Sequence, residues 1–122
     1  MGAGALGCEF IKMMSLMGFG TDYGSMHVTD DDYIEISNLN RQFLFRRHHV
    51  KLNKCETACK VGKTINPNCN FSTYKSRVSP ENENIFDEGF WNDLDLVINA
   101  VDNVKARQYI DNQCVWFEKP LF

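Results

Sequence analysis

No apolar run in the 122-residue sequence approaches the roughly 20 residues of a membrane-spanning helix. Nor does the chain open on a basic stretch and an apolar core, the layout of a secretory leader. The five cysteines, Cys8, Cys55, Cys59, Cys69 and Cys114, are an odd number without a CxxC pair, so they argue for reduced core thiols and against a disulfide framework. Cys55 and Cys59, one helical turn apart, offer half a metal site, but no second pair follows. An excess of positive charge is also missing, and a net charge of −3 argues against general affinity for nucleic acid. Internal repeats, low-complexity tracts and linkers are absent too. These absences predict one soluble domain with a cytosolic or nuclear address and neither nucleic acid nor a membrane as partner.

What is present concentrates in one stretch. Asp30 to Phe45, DDDYIEISNLNRQFLF, gathers acids, amides and an arginine behind a short apolar run. Met26–Thr29 reads as a strand. Asp30 then stands at its C-terminal end, where open α/β sheets hold a ribose through paired hydroxyl hydrogen bonds. Ser37 and Asn38 read as an N-cap pair for a helical turn over Leu39–Phe43 that would hold Asn38, Arg41 and Gln42 together. The planar fork of Arg41 suits phosphate oxygens, and Phe43, Leu44 and Phe45 would bury the far side of the turn. A capped, salt-bridged surface loop with an apolar plug accounts for the same residues. The basic run Arg46, Arg47, His48, His49, Lys51 and Lys54 is either a solvated face or a means of steering a polyphosphate toward the turn.

The chain begins Met1-Gly2-Ala3-Gly4-Ala5-Leu6-Gly7, a GxGxxG match. Gly2, Gly4 and Gly7 permit a tight turn, close approach of backbone to phosphate, and close helix packing. Such a motif follows a strand and none precedes it here, so either the sheet is truncated at its first strand or the match is accidental. Leu6, Phe10, Met13, Met14 and Met17 recur at helical spacing as the expected buried face, with Gly18 and Gly20 able to end the helix. Asp30 lies 23 residues beyond Gly7, which fits a nucleotide-binding fingerprint in position as well as content.

A second helix starts at about Asn53, buries Cys55, Ala58, Cys59 and Ile65, and stops at Asn66-Pro67. Lys54 lies in its first turn, where the dipole disfavours a cation; a bound phosphate would explain it, and so would simple solvation. Phe71–Tyr74 reads as a strand. Glu81–Trp91 reads as partly helical, with Ile85, Phe86, Phe90 and Trp91 buried. Leu96–Ala100 has the character of a central parallel strand. Asp102 or Asn103 caps a helix over Val104–Trp116, with an Arg107/Asp111 pair and Ala106, Ile110 and Cys114 on its buried side. Asp102 is also placed where a magnesium ion beside a phosphate site would need a protein ligand. Lys119–Phe122 begins another strand. The predicted fold is α/β, a mostly parallel sheet flanked by helices.

GAGALGCE, VTDDDYIEISNLNRQFLF, KLNKCETA and INAVDNVKAR, in this order and at these separations, resemble the active adenylation domain of the ubiquitin-activating enzymes. The likeness runs from Gly2 to Leu121, and SNLNRQFLF followed by the Lys54 helix is its most specific part. Activators of SUMO and NEDD8 share the pattern, as do the bacterial ThiF/MoeB-like enzymes that adenylate sulfur carriers. The Gly18–Ser25 turn, the INPN segment and SRVSPENENIFDEGFW look most like the ubiquitin-specific enzyme.

The resemblance implies a Rossmann-like fold, ATP and magnesium, and adenylation of the C-terminal glycine of ubiquitin or a ubiquitin-like protein before thioester transfer. Matched by motif, Asp30 would hold the ribose, Asn38, Arg41, Gln42 and Lys54 the phosphates, and Asp102 the magnesium. Gly2, Gly4, Gly7, Ala5 and Asn103 would line the nucleotide, and Asp32 would be a metal or phosphate neighbour. Arg41, Lys54 and Asp102 would be the groups that promote the reaction. Implied partners are the remaining domains of an activating enzyme, including the other adenylation half, and, through the full-length protein, a ubiquitin-conjugating enzyme. The strand before Gly2, the arginine contributed by the other half and the thioester cysteine have no counterpart here. Residues 1–122 are therefore expected to be a partial adenylation domain, unable to form a thioester alone.

Two other assignments share some of these features. A nicotinamide-dependent dehydrogenase has the glycine motif and the strand-end acid but no use for SNLNRQ, Lys54 or Asp102. A non-catalytic scaffold half of an activating enzyme would be expected to lose Arg41, Lys54 or Asp102, and all three are present.

Overall fold

In the computed structural model, which describes residues 1–122, the first half of the chain is built on two parallel strands. β1 (Met26–Thr29) pairs with β2 (Phe71–Tyr74), in register from Met26 opposite Phe71 to Thr29 opposite Tyr74. Parallel neighbours need a crossover, and α2 (Lys54–Ile65) supplies it. Asn53 caps α2 by accepting the Glu56 N–H at 3.3 Å, and the chain leaves the helix at Asn66.

The helix after the glycine motif, α1 (Ala5–Met17), ends in left-handed Gly18 at φ 80°. The Gly18 and Phe19 N–H groups close on Ser15 and Met14 carbonyls there, as the glycine pattern predicts. Its buried face differs from the predicted one. Gly7, Cys8, Ile11 and Ser15 turn inward, Leu6, Met13 and Met17 are exposed, and Phe10 and Met14 are half-buried. Small residues decide this. A Cβ on Gly7 would overlap the Gly2 carbonyl, and one on Gly62 of α2 would come within 3.1 Å of the Ile11 side chain. Gly7 thus lets α1 close on the glycine turn and Gly62 lets α2 approach Ile11, and the bulkier side chains are left on the outer face.

One core joins Ala3, Cys8, Ile11, Val28, Ile34, Leu44, Phe45, Cys55, Ala58 and Cys59. A second joins Val78, Phe86, Trp91, Val97, Ile110 and Cys114. The second is framed by α3 (Glu88–Asn92), capped by Asp87, and α4 (Val104–Trp116), capped by Asn103. All five cysteines are buried free thiols, as expected. Ile85 is exposed rather than buried, because Phe86 takes the inward position and its carbonyl accepts the Trp91 indole N–H at 3.1 Å. Arg107 does not pair with Asp111; its Nε donates to the Val101 carbonyl at 2.8 Å.

The predicted strands Leu96–Ala100 and Lys119–Phe122 are reduced to one parallel bridge, Val97 to Leu121. They run side by side through Val97 N–H to Pro120 O at 2.9 Å and Phe122 N–H to Val97 O at 3.0 Å. On its other edge Leu96–Ala100 is paired only at the end, through Ala100 N–H to Met1 O at 2.8 Å and Met1 N to Ile98 O at 2.6 Å. Only Val97 meets the bridge geometry, and pairing this short does not make a regular strand. Gly2 in turn donates to Thr29 O at 2.9 Å, so Met1 and Gly2 tie β1 to Leu96–Ala100. The architecture is α/β, a parallel sheet flanked by helices, as predicted, with one antiparallel bridge between Tyr33 and Asn53 outside the strands. No helix is long and apolar enough to cross a membrane.

Candidate functional site

The C-terminal end of β1 delivers Asp30 to the glycine turn. Its Oδ2 accepts the Ala3 N–H at 2.7 Å and its Oδ1 the Asp32 N–H at 2.8 Å. Burial raises the Asp30 carboxyl above its usual 3.8, opposed by the two backbone donors and by Lys54. The carboxylate is half-buried and accepts from backbone that belongs to the GxGxxG turn itself. Gly2 adopts φ 91°, and a Cβ there would meet the Ala100 carbonyl oxygen at 2.9 Å, so only glycine fits between the turn and Leu96–Ala100. Gly4 caps α1 without a side chain, which leaves the first N–H groups of that helix open toward solvent.

Lys54 is pinned. Its Nζ meets Asp32 Oδ2 at 2.9 Å, its N–H donates to the Asp32 carbonyl at 3.0 Å, and the residue is buried. Asn53, which the sequence offered only as a cap, also donates its Nδ2 to the carbonyls of Asp30 and Asp32 at 3.2 Å each. It thereby fixes the carboxylate stretch to the start of α2. The signal for this second role was its place directly before Lys54. Ala3 was likewise missed, because a backbone donor leaves no mark in the side-chain pattern.

The Asn38 turn begins earlier than predicted. A 3-10 turn covers Ile36–Asn38, and Asn38 Oδ1 accepts the Glu35 N–H at 2.9 Å, so Glu35 rather than Ser37 stands at its start. Asn38 O then accepts the Arg41 and Gln42 N–H groups at 3.2 and 2.9 Å, which does bring the three residues together. Arg41 is exposed, its Nη1 resting on the Ser37 carbonyl and Asn40 Oδ1 at 3.2 Å each. Gln42 is buried, and its Oε1 has no hydrogen-bond partner. Its Nε2 lies 4.0 Å from where a Cβ on Gly4 would sit, so the glycine turn and the arginine turn face each other. Leu44 and Phe45 are buried beneath them and Phe43 half-buried, as expected. Arg46 stays exposed while its Nη1 donates to the Phe43 and Phe45 carbonyls.

Asp102 and Asn103 sit just beyond Ala100, at the start of α4. Asn103 Oδ1 accepts the Ala106 N–H at 3.2 Å. Asp102 is exposed and makes neither a hydrogen bond nor an ion pair with Asp30, Asp32 or Lys54. The structure therefore assembles three groups: Asp30 with the glycine turn, Asp32 with Lys54, and Asn38 with Arg41 and Gln42. Ala5 lies in the first turn of α1, and Asp102 stands free beside the Gly2–Ala100 contact. A carboxylate at a strand end, an open helix N-terminus, a fixed lysine and an exposed arginine form a surface suited to a ribose and its phosphates.

The model of the ThiF family matches residues 1–122. The chain is 51% identical to "Ubiquitin-activating enzyme E1 2" of Triticum aestivum over 99% of its length, but covers only 12% of that protein. It is 47% identical to "Ubiquitin-like modifier-activating enzyme 1" of Homo sapiens, again over 99% of this chain and 12% of the relative. Among solved structures, the E. coli tRNA N6-threonylcarbamoyladenosine dehydratase TcdA in complex with AMP superposes with a TM-score of 0.85 at 26% identity, over 98% of this chain and 46% of that one.

Proposed function

On the premise that the chain belongs to the ThiF family, we propose that it forms the nucleotide-binding part of a ubiquitin-activating enzyme. With MgATP it adenylates the C-terminal glycine of ubiquitin or a ubiquitin-like protein. One observation carries this: Asp30 accepts the Ala3 N–H of the glycine turn, so a ribose-binding acid and a phosphate-binding loop form one rigid unit. The likeness to relatives named as ubiquitin-activating enzymes supports the reaction class, and the TcdA complexes with AMP and ATP support the nucleotide.

In the reaction a carboxylate oxygen of the glycine attacks the α-phosphorus, the bond to the bridging oxygen of the β-phosphate breaks, and pyrophosphate leaves. No proton has to move, so positioning and charge neutralisation supply the rate. Asp30 orients the ribose, and the α1 N-terminus receives phosphate oxygens. Lys54, held by Asp32, offers its tip as a fixed cation, and Arg41 can swing from Ser37 and Asn40 to clamp the β- and γ-phosphates. Gln42, whose Nε2 faces the glycine turn, presents its amide donors to the same space. Asp102 fits magnesium, being a hard, exposed carboxylate with no competing partner; magnesium there would neutralise phosphate charge. Transfer to a cysteine is assigned to other domains, since every thiol of this chain is buried.

Calorimetric titration with MgATP and separately with NAD tests the proposal, on the native chain and on Arg41→Ala and Asp102→Ala. ATP binding weakened by both substitutions is expected. NAD binding indifferent to them would favour a dehydrogenase instead.

A further inference from the structure

Where the stretch from Glu83 to Trp91 meets α4, the surface opens into a cavity of about 350 Å³. Its floor is the buried pair Phe86 and Trp91. The Trp91 indole N–H is already given to the Phe86 carbonyl, so the floor offers aromatic carbon and no free donor. Tyr109 and Phe117 line it half-buried, and Trp116 completes the lining while 81% exposed. A tryptophan left in water forgoes one of the largest burial gains open to a side chain. The rest of the lining is acidic. Glu83, Asp87 and Glu88 belong to it, and no lysine, arginine or histidine does. The four ion pairs of the chain all lie elsewhere, so none of these carboxylates has a cation. Glu83 is nevertheless held in place, because Tyr109 Oη donates to its Oε1 at 3.4 Å. Burial, the larger cause, and Glu83 raise the Tyr109 phenol, so it stays protonated in that role. Asp87 caps α3 through Oδ1 and keeps Oδ2 unbonded.

We propose that this cavity is a docking site for an arginine side chain carried by a second polypeptide. The chemistry of the occupant follows from the walls. Carboxylates without a cation call for positive charge, and an aromatic floor calls for a group that is flat and weakly hydrated. A guanidinium meets both demands, since its plane stacks on ring faces while its edge forks onto carboxylate oxygens. The ammonium of lysine meets only the first, being compact and strongly hydrated. Arginine as a free amino acid fits less well than arginine within a chain. Its own α-carboxylate would face the acidic lining with no cation there to receive it. The cavity shares no residue with the glycine turn, Asp30, Lys54 or Arg41, so this docking does not depend on the proposed reaction.

The test is a titration of the isotope-labelled 122-residue chain with the blocked peptide acetyl-Gly-Ser-Arg-Ser-Gly-amide, read from backbone amide resonances. Saturable shifts at Tyr109, Gln113 and Phe117 are expected, with a dissociation constant of about 1 mM. The citrulline peptide, which keeps the shape and loses the charge, should bind about tenfold more weakly or worse. The lysine peptide and free arginine should each bind about fivefold more weakly. Glu83→Gln and Trp116→Ala, both at exposed positions and so expected to keep the native spectrum, should each weaken the arginine peptide about fivefold. Glu88→Gln, also exposed, serves in place of either variant that loses that spectrum. No saturable shift up to about 20 mM would overturn the proposal. So would shifts at the glycine turn in place of α4, equal binding of the citrulline peptide, the lysine peptide or free arginine, or indifference to the substitutions.

Discussion

The two cores of this small domain are held by different means. Around Asp30 and Lys54, a two-stranded ladder, two packed helices and buried polar residues hold each other in place: Asn53 bonds to Asp30 and Asp32, and Lys54 to Asp32. Around Trp91, the packing is aromatic and the ladder shrinks to one bridge. Trp91 stacks on Phe117 at 6.1 Å between centroids, and Phe90 sets its edge against Trp91 and Phe86. The first region fixes its functional groups through hydrogen bonds to their own side chains, whereas the second presents Asp102 on a surface held by aromatic packing, the Asn103 cap and the Arg107 bond to Val101, none of which engages the Asp102 carboxylate. Preorganisation therefore belongs to the ribose and lysine side, and Asp102 is free to be placed by what it binds.

The comparison breaks most visibly at Trp91. Trp91→Ala should cost about 3–5 kcal/mol in denaturant unfolding, because an almost fully buried ring and its bond to Phe86 are lost together. A loss below about 1 kcal/mol would mean that the aromatic cluster does not hold its half of the domain.

A paired substitution sharpens the contrast. Lys54→Ala and Asp102→Ala should each weaken MgATP binding by about tenfold or more, as loss of a charged phosphate or metal contact does. Only Lys54→Ala should also change stability, by about 1 kcal/mol, since Lys54 alone is built into the fold. Equal stability losses from both would erase the difference between the regions.

A smaller effect concerns pH. Burial, the leading cause, raises the Asp30 carboxyl above 3.8, so the folded chain keeps that proton to higher pH than the unfolded one. Its contribution to stability is complete below the unfolded value, declines as pH rises through the folded value, and is flat above it. Nucleotide affinity should run the other way, since the ionised carboxylate is the form that accepts ribose hydroxyls. Affinity measured from neutral pH down to about pH 4 should fall more steeply for the native chain than for Asp30→Asn. Parallel curves would remove Asp30 from the ribose site.

The smallest expected signal is an absence of reaction. Burial pushes Cys8 up to about 11 and Cys59 up to about 12, so iodoacetamide at about pH 8 should label neither until urea unfolds the chain. Labelling of the folded chain would show that the first core opens readily.

Local signals were sufficient for much of this. Asn53 before a helical period, Gly18 after one, and an apolar run ending at Asp30 each act within a few residues, and each does what the sequence predicts. The misjudged features depend on neighbours distant in the chain. The methionine stripe of α1 has proper helical spacing, yet Gly7 and Gly62 turn the opposite face inward. Leu96–Ala100 has strand composition but bridges Leu121 only at Val97, and Arg107 finds the Val101 carbonyl instead of Asp111.

The sequence by itself determined the order of glycine turn, strand-end acid, arginine turn and lysine helix, because each is set by short-range propensity and capping. Only the tertiary structure decided that Asp30 takes its proton donor from Ala3, 27 residues earlier, and that Lys54 is clamped by Asp32, 22 residues earlier. Such bonds form between elements that meet only after β1, α1 and α2 have packed. Their strength comes from partial removal from water, which no stretch of the chain achieves alone.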